Sequence, residues 1–293
     1  MAVYTKIDNT DILHINKNYP LAKIISYVGI KKGIENTNYL LKTKKNKYIL
    51  TIFEKRVARK DVPFFMRLMD LLVSSKINCP RPIKNLDNKY LIKIQGKPAC
   101  IVSFLDGRDK KFLNTNNCYQ VGEIIAKMHQ ITSKFKIKRE NSMGMKNMPK
   151  LLKSINFKKI NFAKGIKENL KKTFTEIKKN WPSNLPKGII HGDLFIDNIF
   201  FKKDKVTGLI DFYFASNEYF MYEVAICINA LCFDFKNNQF KINKRKVSSF
   251  MKGYEKVRKF TSNEKKCLNI LCIGSAFRYL LTRLYDFSNT PKT

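Results

Sequence analysis

Residues 191 to 201, His-Gly-Asp-Leu-Phe-Ile-Asp-Asn-Ile-Phe-Phe, and residues 208 to 214, Gly-Leu-Ile-Asp-Phe-Tyr-Phe, hold side chains whose types and spacing suit one chemistry. Asp193 and Asn198 are five apart, and Asp211 opens an Asp-Phe pair. Transfer of a γ-phosphoryl group asks little covalent help from a protein. It needs a divalent metal to neutralise the triphosphate and an acceptor hydroxyl held in line. Asn198 and Asp211 supply the hard oxygens that Mg²⁺ takes, which leaves Asp193 to orient and deprotonate the hydroxyl. An apolar run at Ile199 to Phe201, the polar turn Lys202 to Lys205 and a second apolar run from Val206 to Ile210 predict a β-hairpin. Its two ends bring Asn198 and Asp211 close together. Asp and Asn are also ordinary turn residues, but turn chemistry accounts for composition and not for the joint spacing.

The elements that must position these residues are legible around them. Residues 23 to 53 alternate apolar runs with turn signals, which predicts a three-stranded meander. Its first connection, Lys31 to Asn38, carries Gly33, Asn36, Thr37 and Asn38. That turn is either a loop whose amides approach phosphate oxygens or a plain hairpin turn of similar composition. Asp61 is expected to cap a helix with Pro63 in its first turn and Phe64, Phe65, Leu68, Leu71 and Leu72 on its apolar face. After Cys79-Pro80-Arg81-Pro82, which cannot be helical, a hairpin is expected around Leu86 to Ile94 and a strand at Ala99 to Leu105, ending in Asp106-Gly107. A strand that runs into such a turn suits a hinge between two lobes, with the backbone of Ser103 to Leu105 open to adenine. This sets a first lobe at 1–102, a hinge at 103–107 and a second lobe at 108–293, with the catalytic hairpin and the substrate site in the second. Beyond the hinge the pattern is helical, with Val121, Ile124, Ile125 and Met128 at helical spacing. His129 behind them reads as structural. Further helices are expected around 150–180, at 219–233 and after Thr261, the last opened by a Thr261-x-x-Glu264 capping box. The fold class that follows is α+β and two-lobed, with a small, mainly antiparallel β lobe before a larger helical one.

A formal net charge of +34 ordinarily points to nucleic acid or an anionic membrane. Of the 57 basic residues, however, only ten are Arg, and the lysines are spread along the chain among many asparagines. Base readout and bidentate phosphate recognition favour Arg, so no specific nucleic-acid partner is expected. The seven cysteines form no C-x-x-C pair and read as buried thiols. No stretch has the sequence pattern of a membrane span, and the first residues lack the order of a secretory signal, which gives a cytoplasmic, non-membrane expectation.

The spacing of Asp193, Asn198 and Asp211 is similar to that of the H-R-D-x-x-x-x-N and D-F-G elements of kinases. Together with GIENTNYLL at 33–41, ILTIFEKR at 49–56, DVPFFMRLM at 61–69, LIDFYFA at 209–215 and RYLLTRLYDF at 278–287, it resembles the aminoglycoside phosphotransferase and choline kinase group. Within that group the chain is most similar to bacterial homoserine kinases of the kinase-like type. The resemblance implies a protein-kinase-like fold and phosphorylation of the side-chain hydroxyl of L-homoserine by ATP with Mg²⁺, on the way to threonine. It implies that Asp193 is the base, Asn198 and Asp211 the metal ligands, and His191 a brace of the loop. It places the phosphate-covering turn at Gly33 to Asn38 and the adenine hinge at Ser103 to Leu105. It leaves the oligomeric state open.

Two departures stand out. Thr51 occupies the strand position where a phosphate-binding Lys or Arg is expected, and the next helix has no Glu to pair with one, which leaves Lys55, Arg56 or Arg59 for the phosphates. A helical tail implied by the resemblance is not present beyond Thr293. For the substrate, Arg278 and Arg283 either clamp a carboxylate or form structural ion pairs, and Asn217 or Glu218 is the candidate for an ammonium. Choline or methylthioribose phosphorylation is the nearest rival activity, and a non-catalytic kinase-like binding module is the rival from another class. The module would show degraded catalytic positions, whereas Asp193, Asn198 and Asp211 are all present.

Overall fold

The structure, a computed structural model, describes residues 3–31, 36–54 and 58–289. It resolves into two units, Met1–Asp109 with Ile199–Tyr213, and Lys110–Asn198 with Phe214–Thr293. Each has its own apolar core.

The first unit opens with helix α1 (Asn9–Asn18), started by a reciprocal Asp8/Asp11 capping box. The expected meander follows as β1 (Ile24–Gly29), β2 (Thr37–Thr43) and β3 (Lys47–Ile52), antiparallel throughout. Helix α2 (Val62–Ser74) buries Phe64, Phe65, Leu68 and Leu72. Asp61 stands at its cap position without a side-chain cap bond, because it already has helical backbone angles. The next strands are β4 (Pro82–Ile83), β5 (Leu91–Ile94) and β6 (Lys97–Ser103), in a sheet of order β1-β2-β3-β6-β4 with β5 also on β6. The hairpin expected within 86–94 is instead formed between β5 and β6. Gln95 and Gly96, both left-handed at φ 48° and 78°, make its turn. Leu41, Leu50, Ile52, Ala99 and Ile101 fill the core against Ile12 and Ile15 of α1. Each large side chain so buried contributes about 1.5–3 kcal/mol.

The second unit is mainly helical, with α3 (Thr115–Thr132), α4 (Met148–Ser154), α5 (Ile166–Lys179) and the short strand β7 (Lys187–Ile190). The chain then returns to the first unit as the hairpin β8 (Ile199–Lys202) and β9 (Lys205–Leu209). The sequence reading grouped this hairpin with the helical lobe, whereas backbone pairing ties it to the sheet unit. Arg108 and Phe201 exchange bonds of 3.1 and 2.8 Å, and the Leu209 amide donates to Asn78 O at 3.1 Å. The second unit resumes with β10 (Ser216–Tyr219), α6 (Phe220–Leu231), the hairpin β11 (Phe233–Lys236) and β12 (Gln239–Ile242), α7 (Lys244–Glu255) and α8 (Ser262–Asn289).

The capping box expected at Thr261 is present, with Thr261 N donating to Glu264 Oε2 at 2.9 Å and Glu264 N donating to Thr261 Oγ1 at 3.1 Å. By length and composition the 28-residue α8 is apolar enough to cross a membrane, a test that the core helix of a globular protein also passes. Here it packs on α6, α4 and α5. It also buries charge, through a 2.8 Å Arg258–Glu264 ion pair and an Arg278 that is 5% exposed. Five of the seven cysteines are buried free thiols, and Cys267 and Cys272 are half-buried.

Candidate active site

In the second unit, β7 and β10 pair antiparallel with Ile190 opposite Ser216, and the chain leaves β7 directly into His191-Gly192-Asp193. Gly192 has φ +80°, and a Cβ there would lie 2.9 Å from Phe214 O, so only glycine makes this turn without strain. The turn is held from below by Glu223 of α6, a fully buried carboxylate. One of its oxygens accepts from the His191 amide and the other from the Gly192 amide at 3.0 Å. His129 stands behind it, with Nε2 3.6 Å from Glu223 Oε2, Nδ1 2.7 Å from the Tyr254 hydroxyl, and its ring stacked on Phe220 at 4.4 Å. This is the structural role expected for His129. Burial opposes charge on both groups. It pushes His129 below its ordinary imidazole value. For Glu223 the desolvation is outweighed by His129, His191 and the Gly192 amide, so the carboxylate is held below its usual range and stays ionised.

Asp193, at the tip of this loop, has a quarter of its side chain exposed. Its Oδ1 accepts from the Tyr279 hydroxyl at 3.1 Å and lies 3.5 Å from Arg278 Nη1. Arg278 also donates through Nη2 to Gly192 O at 3.0 Å. The Asp193 carbonyl accepts from Phe195 N at 3.0 Å and from Asn198 Nδ2 at 2.8 Å. With its nitrogen so committed, the Asn198 carboxamide keeps its oxygen for another partner.

In the first unit, Asp211 follows β9 by two residues and has a left-handed backbone, φ 63°, that Asp tolerates better than most residues. Its carboxylate is exposed. Tyr213 fixes the segment by packing edge-on against Phe53 at 5.2 Å and Phe65 at 5.6 Å. Asn198 and Asp211 immediately flank the β8–β9 hairpin, and both offer the hard oxygens that suit Mg²⁺. No group of three or more His, Cys, Asp or Glu clusters among the described residues.

Thr51, at the place of the expected lysine, is buried and donates to Asn38 Oδ1 at 2.8 Å. A Lys–Glu pair does form in this unit, but elsewhere: Lys97 on β6 meets Glu54 just after β3 at 2.5 Å. Thr37 does not fit a phosphate contact. It is fully buried, its hydroxyl donates to Glu54 at 2.6 Å, and the same oxygen accepts from the Tyr4 and Thr5 amides. Asn36 is buried, and Asn38 spends its oxygen on Thr51. Gly33, Lys55 and Arg56 lie outside the described residues, while Arg59 is exposed at the start of a 3₁₀ turn. At the hinge, the Ser103 amide donates to Arg81 O at 2.8 Å and the Phe104 amide to Lys47 O at 3.2 Å. The Leu105 amide has no acceptor among the described residues. Gly107, φ +125°, then turns the chain against Thr207 and the Phe201 carbonyl.

Residues 26–260 match the phosphotransferase enzyme family. The chain belongs to that family. Its relatives include the homoserine kinase of Rhizobium meliloti (strain 1021), 40% identical over 291 residues that cover 99% of this chain and 88% of the relative. The homoserine kinase of Allorhizobium ampelinum is 39% identical over 292 residues, covering 100% and 90%. Among solved structures, an amicoumacin kinase in complex with AMP-PNP, Ca²⁺ and Ami superposes with a TM-score of 0.77 at 15% identity, covering 98% of this chain and 89% of the other. That likeness shows the two-lobed α+β kinase-like fold.

In this phosphotransferase the two arginines considered for a carboxylate clamp are not a pair. Arg278 is committed to Gly192 O and Asp193, which is the structural alternative, and Arg283 is exposed five residues further along α8. At about 100° per residue that spacing turns the two side chains some 140° apart. Asn217 is latched to the segment after α3: its amide donates to Arg139 O, and its Oδ1 accepts from Arg139 N, both at 2.8 Å. Glu218 is half-buried, accepts from Asn141 at 3.1 Å, and has its pKa raised by burial. Glu223 and Tyr279 were missed in the sequence. Glu223 reads as an acid on the first turn of an apolar helix, and Tyr279 sits 86 residues from its partner.

Proposed function

We propose that this phosphotransferase moves the γ-phosphoryl group of ATP to the side-chain hydroxyl of L-homoserine, giving O-phospho-L-homoserine, as a cytoplasmic enzyme. The observation that carries this reading is near-full-length similarity to homoserine kinases, at 40% identity across 99% of the chain. The loop supports it. With Oδ1 of Asp193 engaged by Tyr279 and Arg278, Oδ2 is the oxygen left to accept the proton of the acceptor alcohol. Asn198 and Asp211 would hold Mg²⁺, which supplies charge neutralisation on the triphosphate. The sheet unit would hold the nucleotide, with the turn beginning at Gly33 over the phosphates and the Ser103 to Leu105 backbone along adenine. The helical unit would hold the amino-acid alcohol. Thr37, turned inward to Glu54, is left out of this assignment.

The test is ATP consumption by the purified chain with L-homoserine, L-serine, choline and methylthioribose, with the product identified by mass spectrometry. L-Homoserine should be turned over best. L-Serine, whose hydroxyl lies one methylene closer to its charged centre, should be poor because it cannot reach Asp193 while its ammonium and carboxylate stay anchored. Faster turnover of choline or methylthioribose, with no phosphohomoserine formed, would overturn the substrate and leave the phosphoryl transfer standing.

A further inference from the structure

Asp193 is carried on α8's neighbour loop by a side chain with two soft torsions, and rotation about the second swings the carboxylate plane so that neither oxygen keeps a fixed direction. The surroundings restrict that rotation. Tyr279 Oη and Arg278 Nη1 both address Oδ1, at 3.1 and 3.5 Å, and among the described residues no donor addresses Oδ2. The two contacts differ in kind. Arg278 is shared between Asp193 and Gly192 O, so much of its hydrogen bonding serves the backbone turn. The Tyr279 hydroxyl donates to the carboxylate itself. Its ring is fixed on both sides, with the Arg278 guanidinium carbon 4.0 Å from its centroid and the Phe195 ring packed edge-on at 4.7 Å. Burial pushes the phenol well above its ordinary value, so it remains a protonated donor at neutral pH.

We infer that Tyr279 is a positioning residue for the phosphoryl-transfer step: its hydroxyl locks Oδ1 of Asp193 so that Oδ2 faces the acceptor alcohol. This rests on the reading of Asp193 as the base. The aromatic ring serves packing and the hydroxyl serves the reaction, and the two functions are separable. Tyr279→Phe keeps the ring that packs between Arg278 and Phe195 and removes only the donor. A base free to rotate spends less time in line with the hydroxyl, and loss of such alignment lowers turnover without weakening the grip on the nucleotide.

The experiment is a kinetic double-mutant cycle on the full chain with Tyr279→Phe, Asp193→Asn and the double variant. ATP and L-homoserine are the substrates, or ATP and whichever alcohol the substrate screen returns. Tyr279→Phe should lower kcat about tenfold, with KM for ATP within twofold of wild type and an unchanged melting temperature. In the Asp193→Asn background the same substitution should have no further effect, because there is no base left to position. A kcat for Tyr279→Phe within twofold of wild type overturns the inference. So does an equal fold-loss in both backgrounds, which marks the hydroxyl as structural. Near wild-type turnover by Asp193→Asn alone would instead defeat the reading of the base, and the cycle separates that failure from the other two.

Discussion

Glu223→Gln tests how the loop is held, because it changes charge and donor pattern while keeping volume. In the native chain one buried carboxylate accepts two backbone N–H groups, from His191 and from Gly192, the latter at 3.0 Å. A carboxamide in the same place offers one acceptor oxygen and one NH₂. One amide therefore keeps a partner but trades a charge-assisted bond for a neutral one of about half the strength, a loss of about 1 kcal/mol. The other amide faces a donor and is left unsatisfied in a fully buried site, a loss of about 2–3 kcal/mol. Neutralising a buried charge usually offsets such losses by relieving desolvation. Here the partners are fixed backbone dipoles that stay in place, so most of the penalty remains. Glu223→Gln should thus lose about 3–4 kcal/mol in urea-induced unfolding. It should also lower kcat, since the turn carrying Asp193 is no longer anchored. Stability within about 1 kcal/mol of wild type, measured on matched m-values, would refute the view that this carboxylate holds the His191–Asp193 turn.

Asp193→Asn should lower kcat at least a hundredfold or so while leaving ATP affinity within a few-fold by calorimetry, since in the proposed role Asp193 acts on the acceptor alcohol and not on the nucleotide. Asp211→Ala should weaken nucleotide binding in the presence of Mg²⁺ and leave the metal-free affinity little changed. Equal affinities under both conditions would contradict its role as a ligand. Burial holds the folded-state pKa of His129 below the ordinary 6.5, so below that pH the unfolded chain takes up a proton that the folded chain refuses. Its contribution to stability is therefore whole above pH 6.5 and lost as pH falls through it, at up to about 1.4 kcal/mol per unit. Urea titrations at falling pH should show this slope in the wild type and not in His129→Gln, and identical slopes would contradict it.

The sequence by itself determined what depends on neighbours along the chain. The alternation in 23–53 became β1 to β3, and the apolar runs either side of Lys202 to Lys205 became the β8–β9 hairpin. The Thr261 and Glu264 pair capped α8 because the two are one turn apart. Asp193, Asn198 and Asp211 could be proposed as a set for the same reason, being spaced along a single loop and hairpin. Leu91–Ile94, expected to pair within a hairpin at 86–94, pairs with β6 instead, because periodicity states that a strand forms and not which strand it joins. Side-chain roles that depend on burial were also undecided. Thr37 looked like a loop hydroxyl and is an internal donor to Glu54, and Arg278, readable as a carboxylate clamp or as a structural ion pair, braces Gly192 and Asp193. Glu223 and Tyr279 reach Gly192 and Asp193 from 31 and 86 positions away. Only packing determines which distant donor or acceptor faces a buried backbone group, and the requirement that each such group find a partner then decides the role.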